Sequence, residues 1–420
     1  MSLNISDKAR EAVWTAELEL KNAFQFADSV EFITQGRVLE AFQTHEISAR
    51  HFAPTNGYGY DDIGRDNLDR VFADALQAES AYVRPQFANG THAIFCALAG
   101  LTEPGDEILA ITGDPYDTLE EAIGIRGSAP NSLARFGISF RSVPLEQKLG
   151  KIQMELVEQA IQQKTKIIYV QRSRGYAWRP SFSPMDLKPI FEQIHAMRPD
   201  VWIVVDNCYG EFTQAVEPTS VGADVIVGSL IKNPGGGIAP CGGYVAGRKS
   251  AIDRIAERMT VPGMGREVGS YEASYRPFYQ GLFLAPHVTA QSIKSAMLFA
   301  KIFEALGYDT IPSSGAPRSD IIQSVRFGNS EALVAFCQSI QAASPVDSCA
   351  VPEPWDMPGY AHQVIMAAGT FVQGATTELS ADAPMKEPYI AYMQGALTYT
   401  HGKIAAMLAY DALCKGRIKE

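Results

Sequence analysis

The sequence predicts an α/β chain built on a mostly parallel central sheet with helices on both faces, followed by a smaller α+β C-terminal domain. Three observations predict it. Apolar strand-like runs alternate with amphipathic helical stretches from about 56 to 290. Several of those runs lack polar alternation, as strands do when helices cover both faces of a sheet. The pattern then changes after about 290, where one long helical stretch leads into shorter strands and a final helix.

In chain order, residues 1–55 read as an N-terminal arm of two helices, the first starting near Ser6, with apolar positions at Val13, Leu18 and Leu20. Residues 56–290 form the α/β domain, with strands at EILAIT, TKIIYVQ, VWIVVD and VIVGSL and a helix at MELVEQAIQQ. Residues 291–420 form the α+β domain, from the helix VTAQSIKSAMLFAKIFEALG through SDIIQSVRF, VAFCQSIQ and HQVIMAAGTF. Functional residues of such a sheet are expected in loops beyond the carboxyl ends of its strands.

Composition narrows the class. With 46% hydrophobic and 20% charged residues, the 420-residue chain is of ordinary globular type. A formal charge of −11 without a basic tract argues against nucleic-acid binding. Six scattered cysteines lack CxxC spacing, which suggests neither a zinc site nor a disulfide framework and fits a reducing cytoplasm. No apolar leader or run of about 18 apolar residues predicts secretion or a membrane partner.

Three motifs carry the chemistry. In NGTH, residues 89–92, a strand-like run gives way to a helix whose first amides and dipole favour a phosphate. Gly90 lets the backbone approach the anion and Thr91 can add a hydroxyl donor, with His92 beside them. In VVDN, Asp206 closes an apolar strand, where a carboxylate can keep a pyridine nitrogen protonated. In GSLIKNPGGG, Lys232 follows the next strand, Ser229 stands before it as a second phosphate donor, and a glycine run follows. Taken singly, each has a plainer explanation as a cap, a turn or a solvated lysine. Together they point to pyridoxal 5′-phosphate held as an internal aldimine on Lys232, since a lysine amine is nucleophilic once deprotonated and can afterwards shuttle protons.

Tyr116, after EILAIT, is placed to lie over the cofactor ring as a rigid platform. Arg172 and Arg174, in QRSRGYAWRP, have the planar fork that suits a substrate carboxylate, although such arginines also brace loops.

At these residues the chain resembles the fold type I pyridoxal phosphate enzymes of cysteine and methionine metabolism, with the transferase-like fold of aspartate aminotransferase. GYGYDDIGRD, RPQFANGTHAI, QRSRGYA, VDNCYGEF, GSLIKNPGGGIAP, QGLFLAPHV and MAAGTFVQGATTELSAD are, more narrowly, similar to the bacterial aluminium-resistance or methionine γ-lyase-like proteins. The resemblance implies a carbon–sulfur lyase acting on a small amino acid such as cystathionine, cysteine or methionine. It also implies a homotetramer whose sites lie between paired subunits, with Tyr58 or Tyr60 supplied by the neighbouring chain and Tyr60 among the catalytic groups. In the broader group an arginine stands two positions after that tyrosine; here Asp61 and Asp62 follow Tyr60, and Arg65 is the substitute candidate for cofactor binding.

Two further departures concern the substrate. Thr118 stands where methionine γ-lyases carry a reactive cysteine, and no arginine occurs between 360 and 416, where the group holds a carboxylate-binding one. Arg318, Arg172 and Arg174 become the substrate-binding candidates. Transamination, replacement chemistry and a cofactor-binding regulatory protein without turnover are the rival expectations.

Overall fold

Along the fifth strand Ile203 and Val205 enter one core while Val204 enters another. A strand with apolar residues on both sides needs cover on both sides, and the computed structural model, which describes residues 5–147, 149–357 and 362–417, supplies it. The central sheet comprises β1 (Ser80–Arg84), β2 (Glu107–Ala110), β3 (Ser139–Ser142), β4 (Thr165–Gln171), β5 (Trp202–Asp206), β6 (Val225–Ser229) and β7 (Gly243–Gly247), in the order β1-β7-β6-β5-β4-β2-β3. Strands β6, β5, β4, β2 and β3 run parallel, and β7 is antiparallel to both neighbours.

The helices are α1 (Asp7–Thr44), α2 (Ile63–Ala75), α3 (Gly90–Gly100), α4 (Asp117–Ile123), α5 (Met154–Ala160), α6 (Pro184–Met197), α7 (Lys249–Met259), α8 (Arg276–Ala305), α9 (Ser330–Ala343) and α10 (Tyr399–Arg417). Residues of α2, α6 and the start of α8 fill the core on one face of the sheet; those of α3, α4 and α7 fill the other. The second sheet, β10 (Val364–Ala367), β11 (Ser380–Pro384), β12 (Ile390–Gln394), β9 (Ile322–Arg326) and β8 (Asp309–Ile311) in that spatial order, is antiparallel and packs one face on α9 and α10.

The two expected N-terminal helices are one. Ser6 caps α1 as anticipated, its hydroxyl accepting from the Ala9 amide at 3.1 Å, but the helix then runs unbroken for 38 residues. Gly36, inside it, faces open space and carries no turn. The reason for its length is tertiary: Ala9, Val13, Ala16, Leu20 and Ala27 belong to the core of the smaller sheet, whereas Val38 and Ala41 belong to that of the central sheet. The expected boundary at 290 falls inside α8, which joins the two sheets as a continuous rod.

Candidate functional site

Parallel pairing sets Gln171 level with Asp206, and Asp206 level with Val227, so β4, β5 and β6 end together. Asp206 is 5% exposed there, and its carboxylate accepts from the Cys208 amide at 3.1 Å. Burial raises its pKa, and the nearby Lys232 opposes that rise.

Asn89 caps α3 by accepting from the His92 amide at 2.8 Å. The amides of Gly90 and Thr91 therefore open the helix without an intrahelical acceptor. A Cβ on Gly90 would stand 3.1 Å from the Ser229 Cβ and 3.6 Å from the Cys208 sulfur, so a side chain there would crowd the helix start against the end of β6. Thr91 receives a hydrogen bond from the Tyr116 hydroxyl at 2.9 Å, while the Tyr116 amide donates to Gln171 at 3.0 Å. Burial raises the Tyr116 pKa, the Asp206 charge adds to it, and the phenol stays protonated. His92 serves its own turn instead. Its Nδ1 accepts the Ala88 amide at 3.1 Å, which requires the neutral imidazole that burial favours.

Lys232 follows β6, and its Nζ lies 3.5 Å from the centre of the Tyr209 ring. Burial alone would push the ammonium down; Tyr209, Cys208 and Asp206 act in the opposite sense, and the pKa ends above the ordinary lysine value. The glycines that follow are packing devices rather than a flexible turn. A Cβ on Gly235 would lie 1.7 Å from the Leu230 carbonyl oxygen, and one on Gly236 would lie 2.4 Å from that of Gly281 on α8. The lysine loop is thereby pressed onto a rigid helix.

Lys232, Asp206, Ser229, Gly90, Thr91 and Tyr116 are thus brought together. The predicted arginines divide. Arg172 is fully buried and donates to Phe182 O, Asn207 Oδ1, Gly210 O and Thr213 Oγ1, at distances from 2.7 to 3.3 Å. It braces the 207–213 loop. Arg174 bonds Asp320 at 3.2 and 3.3 Å and the Ile311 carbonyl at 2.6 Å, tying the end of β4 to the second sheet. Arg318 donates to Gln323 at 2.6 Å, leaves its buried Nε without a partner, and has its pKa lowered to about 9 by burial and then by repulsion from Arg174.

Tyr58 and Tyr60 make their contacts elsewhere. They stack on each other, ring centres 5.4 Å apart, and are 66% and 60% exposed. Arg65 is buried beneath them, donating to the Gly59 carbonyl and to Asp66, each at 2.8 Å.

Sequence reasoning passed over Tyr209, Glu211 and Asp382. Tyr209 adopts φ +70°, in the left-handed region uncommon for a side chain of its size, and so turns its ring under Lys232. Its signal was its place in VDNCYGEF, just after Asp206. Glu211 is fully buried, accepts from the Tyr244 hydroxyl at 2.8 Å, and burial pushes it up to about 8. Asp382 lies on β11, and only the fold carries it to the cleft.

Comparison with known proteins agrees with this fold. The family model for methionine gamma-lyase matches residues 9–414. The uncharacterized protein YnbB of Bacillus subtilis is 47% identical over 418 residues, 99% of each chain. A solved carbon-sulfur lyase involved in aluminium resistance, from Clostridium novyi, superposes with a TM-score of 0.93 at 47% identity, covering 97% of this chain and 96% of that one. The L-methionine gamma-lyase of Treponema denticola is 25% identical over 238 residues, 56% of this chain and 54% of the relative.

Proposed function

The chain belongs to the methionine gamma-lyase family, and from that premise we propose that it is a pyridoxal phosphate-dependent carbon–sulfur lyase acting on a sulfur amino acid of the cystathionine, cysteine or methionine type. The observation that carries this reading is the convergence of Lys232, Asp206 and the start of α3 at one end of the sheet. The residues fit the cofactor by their donor chemistry: the Gly90 and Thr91 amides and the Ser229 hydroxyl would hold its phosphate, Asp206 its ring nitrogen, and Lys232 its aldehyde carbon, with Tyr116 against the ring. When bound, the cofactor supplies an electron sink for the pair released as the substrate Cα–H bond breaks.

The chain's own groups do the rest. Lys232 takes the Cα proton at Nζ, and the negative potential of Asp206 and Tyr209 makes that nitrogen basic enough to hold it. The Gly235–Gly281 contact fixes the lysine's approach, and the buried Asp206 stands at the strand end where the ring nitrogen would need a carboxylate. The sulfur leaves as a thiolate from Cβ or, after a second proton removal, from Cγ.

Arg174 and Arg318 support a site for the substrate carboxylate: with Arg179 beside them they outnumber the carboxylates in their field, Asp320 and Glu304. Arg174→Lys should raise KM about tenfold or more, since a point charge cannot reproduce forked binding. An unchanged KM would remove Arg174 from that role. Arg172, whose charge lies among the buried carboxylates Glu217 and Glu211 and which holds the 207–213 loop, is better read as a brace.

We further read the enzyme as a cytoplasmic homotetramer. Six free cysteines support a reducing compartment. The exposed Tyr58–Tyr60 pair, and the exposed Trp14, Leu18, Phe26 and Phe32 on α1, support partner subunits that cover them. Among the described residues no helix is long and apolar enough to cross a membrane.

The test is a screen of sulfur amino acids against the cofactor-loaded protein, following keto acid, ammonia and thiol together. Equimolar release of the three is expected. Keto acid without thiol would indicate transamination, and a new amino acid would indicate replacement; either would overturn the lyase reading.

A further inference from the structure

Lys232 has a second wall opposite it, built by the smaller sheet. A Cβ on Gly237 would meet the Leu397 side chain at 2.2 Å, and one on Gly374 would meet Ile231 at 3.5 Å, so segments flanking β11 and β12 touch the lysine loop directly. On β11, Ala381 and Ala383 point into the core with α9 and α10. Asp382, between them, must point to the other face. There it lies opposite Tyr392, whose hydroxyl donates to the Tyr176 carbonyl at 2.5 Å, and Tyr209 packs against the same domain from beneath.

Asp382, half-buried, accepts hydrogen bonds but has no ion-pair partner among the described residues. Gln394 Nε2 reaches it at 3.5 Å, and the Tyr176 hydroxyl also donates to it. Several enclosed carboxylates face arginines, Asp69, Glu107, Asp224 and Asp320 at 2.7, 2.7, 2.6 and 3.2 Å, while Asp62 and Glu378 are met by backbone amides, Asp62 also by hydroxyls. Among the described residues no arginine faces Asp382 in this way, and Lys232, whose charge it feels, is committed to the cofactor. Burial pushes the Asp382 pKa up to about 6, which leaves it mainly ionised at neutral pH. A carboxylate held in a cleft without a counter-ion is costly unless a ligand brings one. Asp206 is likewise unpaired but has the cofactor ring nitrogen to serve, and Glu211, pushed up to about 8 by burial, is mainly neutral.

We propose that Asp382 recognises a positively charged group on the substrate's side chain beyond the sulfur, so that the preferred substrates are thioether amino acids carrying a second ammonium. This rests on the lyase reading and deepens it by naming the substrate class.

The experiment compares S-aminoethyl-L-cysteine with its apolar isostere S-propyl-L-cysteine on the holoenzyme. Affinity is read from the shift in cofactor absorbance, and turnover separately from keto acid and thiol. The native enzyme should bind the aminoethyl compound at least about tenfold more tightly, the effect of one charge-assisted contact. In Asp382→Asn, which keeps the side chain's shape, the ratio of affinities should fall to near one. Equal affinities in the native enzyme, a ratio unchanged in the variant, or no spectral response to either compound would overturn the proposal. The native comparison needs no variant, so a folding defect cannot mask the answer. A clear spectral preference without keto acid from either compound would instead sink the lyase reading and leave the role of Asp382 standing.

Discussion

Lys232 and Glu211 are neighbours in one buried network in which both hold their protons, one as a cation and one as a neutral acid, and each makes a prediction. Lys232 should carry the cofactor: borohydride treatment of the native protein should leave a pyridoxyl group on the peptide containing Lys232, located by mass mapping. Lys232→Ala should abolish that label and lower kcat by at least about 1,000-fold, because both the attachment point and the proton carrier are lost. A label on another lysine would refute the assignment. Glu211 predicts a pH dependence. Its folded pKa, about 8, lies above the unfolded carboxyl value of about 4.5. The stability it contributes is therefore full below pH 4.5 and is lost as pH rises through 8, because only the unfolded chain readily gives up that proton. Gln cannot ionise and still accepts from Tyr244. The difference in Tm between Glu211→Gln and the native protein should grow in the variant's favour from pH 5 to 8.5, and a flat difference would show that Glu211 does not titrate in this range.

At the scale of elements, the site depends on two loops held from behind. Arg172 fixes the 207–213 loop and so the left-handed Tyr209; the glycines after Lys232 fix the lysine by contact with α8. Gly281 is the critical point on that helix, since a Cβ there would lie 2.3 Å from the Gly235 carbonyl oxygen. Backbone on both sides leaves nothing flexible to yield. Gly281→Ala should destabilise the protein by about 2 kcal/mol or more and should also weaken cofactor retention, because the lysine loop must lift off the helix. Denaturant unfolding and dialysis against cofactor-free buffer measure the two effects. Loss of stability with retention intact would mean that the loop does not set the lysine.

For the whole molecule, α1 and α8 make the two sheets a single mechanical unit: one belongs to both cores, and the other runs through the junction between them. The contacts between the Lys232 loop and the segments flanking β11 and β12 are held by that unit. The exposed Tyr58 and Tyr60 bear on the assembly instead. If the neighbouring chain supplies Tyr60, then Tyr60→Ala and Lys232→Ala, each nearly inactive alone, should regain activity when mixed and reassembled. Random pairing would yield about a quarter of native sites, those with both residues intact. No recovery in verified mixed oligomers would place each site within one chain.

The motifs of residues 89–92, 204–207 and 228–237 were legible without coordinates because cofactor chemistry demands particular groups at strand ends and helix starts, and such groups are local in sequence. The run lengths and apolar character of TKIIYVQ and VWIVVD likewise announced a sheet covered on both faces, and β4 and β5 occupy those residues. Local reasoning failed wherever a residue's partner lay far along the chain. The unbroken α1 exists because two distant cores hold it, which no feature between Ser6 and Thr44 encodes. Arg172 and Arg174 sit in one short motif, yet one is spent on residues 207–213 and the other on Asp320; nothing in QRSRGYA distinguishes them. Asp382 stands in a strand of alternating alanines, where its sequence neighbours tell only that it faces away from the core. That the opposite face looks onto Lys232, 150 positions earlier, is decided by the packing of the small sheet on the glycine loop.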